Sequence, residues 1–102
     1  MTGIPVAKIQ DVPPGTMIGA EVKGERILVA NVDGHLHAIR ATCNHMNGPL
    51  DKGTLEGNVV TCPLHKSRWD VITGRLVWFP RLLPPEPVYP VMVVGDQIVV
   101  EK

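Results

Sequence analysis

At 102 residues the chain is shorter than one typical domain of about 150, so there is no room for a fused oxidase, reductase or second binding module. Hydrophobic residues make up 44% and charged residues 20%, a balance that folds and excludes a disordered, solvating tail. Ten Lys plus Arg against ten Asp plus Glu give a formal charge of zero, which leaves no electrostatic footprint for nucleic acid or an anionic membrane.

Ten Gly and ten Pro, scattered along the chain, cut it into short β-rich runs with no segment of amphipathic helix length. Ile4–Ile9 is a predicted strand ended by Asp11-Val12-Pro13-Pro14-Gly15, and Met17–Val22 is another, ended by Lys23-Gly24-Glu25. Arg26–Val32 and Leu36–Arg40 flank Asp33-Gly34, the strongest hairpin signal in the chain, so a meander is expected to open the domain. Further on, Leu55 and Val59–Cys62 flank Glu56-Gly57-Asn58. A tip at Glu56-Gly57 would set Cys62 opposite Asp51. Pro80, Pro84, Pro85, Pro87 and Pro90 then deny a strand ladder to their segment and predict a stiff surface loop. Val91–Val94 and Ile98–Val100 around Gly95-Asp96 complete the series. Short antiparallel strands at this spacing predict an all-β sandwich or barrel. Residues 1–102 are read as a single domain. No apolar run approaches the ~20 residues a membrane helix needs, and the start of the chain has no signal-peptide pattern, so a cytoplasmic location is expected.

The chemistry gathers in Cys43-Asn44-His45 and Cys62-Pro63-Leu64-His65, a C-x-H-x16-C-x2-H pattern. Each element supplies one soft thiolate and one imidazole, a donor set that selects zinc or an iron-sulfur cluster over Ca2+ or Mg2+. A mononuclear zinc site in an interaction module is one reading. The other is a two-iron rhomb with both cysteines on one iron and both histidines on the second. His35 and His37 lie on one face of a predicted strand, opposite Val32 and Ala30, and read as hairpin residues and not as ligands.

Together with Leu55-Glu56-Gly57, the run Cys62-Pro63-Leu64-His65-Lys66-Ser67-Arg68-Trp69-Asp70 and the following Thr73-Gly74-Arg75, this pattern resembles the Rieske-type ferredoxins. These are small electron carriers of bacterial multicomponent oxygenases. The resemblance implies a Rieske fold, with an antiparallel base and a cluster-binding subdomain at about residues 42–80. It also implies one [2Fe-2S] cluster per chain, with Cys43 and Cys62 on the inner iron and His45 and His65 on the outer, more exposed one. The implied function is one-electron transfer from a flavin-containing reductase to a terminal oxygenase. The chain would then be a component of an enzyme system and not itself an enzyme. Another redox system, such as nitrite reduction, is the alternative within the same family.

Two neutral ligands make the oxidised cluster formally neutral, so it accepts an electron more easily than an all-thiolate cluster does. The chain lacks the extra cysteines that form a disulfide across the cluster in the respiratory branch. Lys66 stands where glycine is frequent, and Trp69 stands where many members have Tyr or Phe. A Trp at that place has no hydroxyl for a ligand sulfur, which predicts a midpoint in the lower part of the Rieske range; Ser67, matching a serine that bonds a bridging sulfide in some members, pulls the other way. Trp69, Trp78 and Phe79 are expected to pack near the cluster, Pro80 to belong to a covering loop, and Lys66 and Arg68 to be either plain surface charge or part of a docking rim.

Overall fold

The computed structural model describes residues 3–43, 48–64 and 66–102. Three antiparallel sheets account for the strands formed among them. The middle sheet is the predicted meander, β2 (Met17–Val22), β3 (Glu25–Val32) and β4 (His35–Arg40). Its two connections, Lys23-Gly24 and Asp33-Gly34, both have positive φ at each residue. Such turns match the right-handed twist of the strands they join, and only glycine takes the second position without strain. Val32 therefore pairs with His35 and Ala30 with His37, the register expected from the sequence.

β3 is buried on both faces, and its alternation divides two cores. Ile27 and Val29 face one core, with Val12, Val22, Ala38, Ile98 and Val100. Leu28 and Ala30 face the other, with Ile39, Ala41, Cys43, Leu50, Val60, Cys62, Trp69 and Val71. The first core is closed by the sheet of β1 (Gly3–Lys8), β10 (Val91–Val94) and β11 (Gln97–Glu101), in the order β1-β11-β10. The second is closed by a four-stranded sheet of β5 (Thr54–Glu56), β6 (Val59–Thr61), β7 (Arg68–Asp70) and β8 (Leu76–Trp78). Both predicted ligand cysteines lie in the second core.

Some expectations change. The first strand stops at Lys8 because Ile9–Asp11 forms a 3-10 turn, in which the Lys8 amide donates to Asp11 Oδ2 at 3.1 Å. The β5–β6 hairpin turns at Gly57-Asn58, with Leu55 opposite Val60, two residues away from the expected register. Gly57 at the first central position, φ 60°, favours this tight turn. Asp51 is therefore not the partner of Cys62. It sits in a second 3-10 turn, Leu50–Lys52, where its nearly buried carboxylate accepts from Arg26 Nη2 at 2.7 Å and Nε at 3.1 Å. A Cβ on Gly19 would lie 2.0 Å from that carboxylate, so the pair fits over β2 only because residue 19 is glycine. This ion pair ties the first ligand loop to the meander.

The proline segment is not wholly loop. Val88–Tyr89 forms a short strand, β9, paired with Ala38 and Ile39 at the edge of the middle sheet. Glu86, buried beside it, accepts from Arg40 Nε at 3.0 Å. Leu83 packs against the second core, whereas Pro80 is exposed.

Candidate metal centre

The two ligand loops are built alike. In the first, the Cys43 amide donates to the Gly48 carbonyl at 2.8 Å, and the Thr42–Pro49 bridge with Leu50 N–H to Ala41 O at 2.6 Å closes the loop below it. In the second, the Cys62 amide donates to the Ser67 carbonyl, also at 2.8 Å. Each cysteine amide thus bonds a carbonyl five residues on, and the four intervening residues carry the predicted histidine. His45 and His65 themselves lie outside the described residues, as do Asn44, Met46 and Asn47.

The loops converge through reciprocal contacts. Gly48 of the first loop lies so near the second that a Cβ there would stand 2.6 Å from Cys62 Sγ. Ser67 of the second loop places Oγ 3.4 Å from Cys43 Sγ. Each loop therefore sets a small residue against the other's sulfur. Cys43 and Cys62 are both about 1% exposed, and neither is in a disulfide. Two reduced, buried thiols facing each other's loops are a donor set suited to a soft metal centre.

Behind the sulfurs stands Trp69, fully buried in β7, whose Nε1–H donates to Ser67 Oγ at 3.0 Å. Trp69 is expected near the cluster from the sequence, but its N–H has no role assigned there. Residues 67 and 69 are two apart on an extended segment, the spacing that sets side chains on one face, and that was the available signal. Trp78 departs from expectation. It is half exposed and lines a shallow groove of about 460 Å³ with Thr54, Glu56, Thr61, Lys66 and Arg68. Arg68 is loosely paired with Glu56 at 3.9 Å. Lys66 has φ 63°, the left-handed region that favours glycine, which gives a physical reason for glycine at this place. Beside it, Leu64 exposes 56% of its surface.

His37, on β4, is held below the usual imidazole range by burial first and by neighbouring His35 second, with Asp70 acting the other way. Among the described residues no three His, Cys, Asp or Glu side chains form a metal-holding group.

With this geometry, similarity to known proteins becomes informative. A family model described as the Rieske [2Fe-2S] domain matches residues 2–100. The ferredoxin component of the naphthalene 1,2-dioxygenase/salicylate 5-hydroxylase systems of Ralstonia sp is 33% identical over 98 residues, covering 96% of this chain and 93% of that protein. The ferredoxin of carbazole 1,9a-dioxygenase from Nocardioides aromaticivorans IC177 superimposes with a TM-score of 0.90 at 32% identity, covering 98% of this chain and 97% of the other. A chain in a complex of reduced oxygenase and oxidised ferredoxin of carbazole 1,9a-dioxygenase matches with a TM-score of 0.89 at 30% identity, covering 96% of this chain and 91% of its own.

Proposed function

Since the chain belongs to the Rieske [2Fe-2S] domain family, we propose that it is the one-electron carrier of a multicomponent oxygenase system, taking electrons from a flavin-containing reductase and delivering them to a terminal oxygenase. The cofactor is the Rieske [2Fe-2S] cluster, which supplies a single reversible electron at the iron. The observation that carries the reading is the pair of alike loops, each closed by its cysteine amide and each pressing a small residue on the other's buried sulfur. That arrangement suits a centre spanning both loops. The relatives, named as ferredoxin components, support a carrier over a catalyst. The family match likewise favours the cluster over a mononuclear zinc.

On this reading Cys43 and Cys62 hold the inner iron and His45 and His65 the outer. Residues 42–80 form the cluster-binding subdomain on the base of the other two sheets. The protein's own part is to keep the sulfurs dry in the second core while the second loop stays accessible, with Leu64 and Lys66 at its rim. A solved complex of an oxygenase with a ferredoxin that this chain resembles supports an oxygenase as the acceptor. The test is reconstitution with a flavin-containing reductase and a terminal oxygenase. NADH-driven product formation is expected to need catalytic amounts of the holoprotein and to vanish with Cys62→Ser. Product formation that ignores the holoprotein would contradict the reading.

A further inference from the structure

We propose that Trp69 is a positioning residue for the redox centre, its indole N–H orienting the Ser67 hydroxyl so that the hydroxyl proton is donated to Cys43 Sγ. This rests on the cluster reading above and adds a residue that acts on the potential without touching the cluster. All three groups are buried, with Trp69 and Ser67 at 0% and Cys43 at 1% exposure, so bulk solvent does not reach them. An indole N–H can only donate. The bond of 3.0 Å from Trp69 Nε1 therefore makes Ser67 Oγ the acceptor and fixes which side of the oxygen its lone pair occupies. The hydroxyl keeps one proton to give, and Cys43 Sγ lies 3.4 Å away. In the free thiol either atom can donate. A metal-bound thiolate has no proton, so with the cluster in place the direction is set from Trp69 through Ser67 to the sulfur.

The consequence has a definite sign. Reduction makes the cluster one charge more negative, and a hydrogen bond to a ligand sulfur grows stronger with the charge it faces. The bond therefore stabilises the reduced state and raises the midpoint. A donor behind the hydroxyl polarises it and adds to the effect. Trp69 thus supplies through Ser67 what it cannot supply directly for want of a hydroxyl of its own.

The experiment is a midpoint measurement on the holoprotein and on Ser67→Ala, Trp69→Phe and the double variant, each checked for iron and labile sulfide. Ser67→Ala is expected to lower the reduction equilibrium constant by about tenfold, ~59 mV for one electron. Trp69→Phe keeps the ring and deletes the N–H; it is expected to lower the midpoint by a smaller amount, and by nothing further once Ser67 is Ala. Ser67→Thr keeps a hydroxyl and is expected to retain the midpoint. An unchanged midpoint in Trp69→Phe overturns the proposal however Ser67→Ala behaves. So does a Trp69→Phe shift that persists undiminished on the Ser67→Ala background. A wild-type protein that binds no cluster would instead overturn the underlying reading, a result visible as absence of colour before any potential is measured.

Discussion

Among the described residues, Gly48 and Lys66 mark two places where the backbone of a ligand loop is under tight demand. A Cβ on Gly48 would stand 2.6 Å from the sulfur of the opposite loop, which leaves no space for a methyl group. Gly48→Ala is therefore expected to push Cys62 Sγ out of place and to lower the iron bound per chain, while the far-ultraviolet circular dichroism of the other sheets stays as it is. Full iron occupancy in this variant would show that the loops can separate without loss. Lys66 carries the opposite expectation. Its left-handed conformation, φ 63°, strains a side-chain-bearing residue, and Lys66→Gly should stabilise the holoprotein by about 1 kcal/mol, raising Tm by about 5 °C. Thermal unfolding measures it, and an unchanged or lower Tm would mean that the side chain contributes more than the conformation costs. At this scale the sequence singles out the cysteines as candidates, because each has its own histidine close by. It did not reveal Gly48 or the Trp69–Ser67 bond, which depend on two loops meeting across the chain.

Among the elements, β9 is the least expected, and its anchorage is electrostatic. Tyr89 donates its hydroxyl proton to Glu25 of β3, which also lies 3.5 Å from Lys102 Nζ. Burial, and then this hydrogen bond, push Tyr89 from its ordinary value of 10.0 up to about 12. Since the folded value exceeds the unfolded one, the contribution to stability is complete below about pH 10 and is lost as pH rises from there through about 12. Glu25 is held below its ordinary 4.5, chiefly by the Tyr89 bond, so its contribution is present above pH 4.5 and is lost as pH falls through the lower folded value. Urea midpoints are expected to decline as pH rises from about 10, and Tyr89→Phe should flatten this alkaline decline. An alkaline decline identical in the variant would remove Tyr89 from the account. Little in the sequence points to this strand, because five prolines in the segment argue against any ladder, yet a two-residue edge pairing asks for very few free amides. β7 and β8 were equally hidden. Each is three residues long, and Arg68-Trp69-Asp70 is read more readily as the tail of a ligand motif than as a strand. Hairpins with a strong turn dipeptide, Asp33-Gly34 and Gly95-Asp96, were legible because local backbone chemistry alone decides them.

At the scale of the molecule, β3 separates a core that holds the ligand cysteines from one that does not. Metal binding and folding are coupled where the ligands are, so removing the iron should act on one side of this divide. Hydrogen exchange after iron removal is expected to lose protection at the Cys43, Leu50 and Cys62 amides, all donors in the loop closures, and to keep it at Ile98 and Val100. Uniform loss across both cores would show that the cluster holds the whole fold together. The β class and the meander could be anticipated from turn spacing, but the division into two cores could not, since it follows from a central strand apolar on both faces. The account's central claim is that this chain carries a Rieske cluster as a reversible one-electron centre, and a potentiometric titration of the purified protein with parallel metal analysis tests it most directly. The expected result is two irons and two labile sulfides per chain, with one-electron behaviour at a midpoint within about −150 to +300 mV. A colourless protein with one zinc per chain, or an iron-sulfur centre near the −400 mV typical of all-thiolate plant-type clusters, would contradict it.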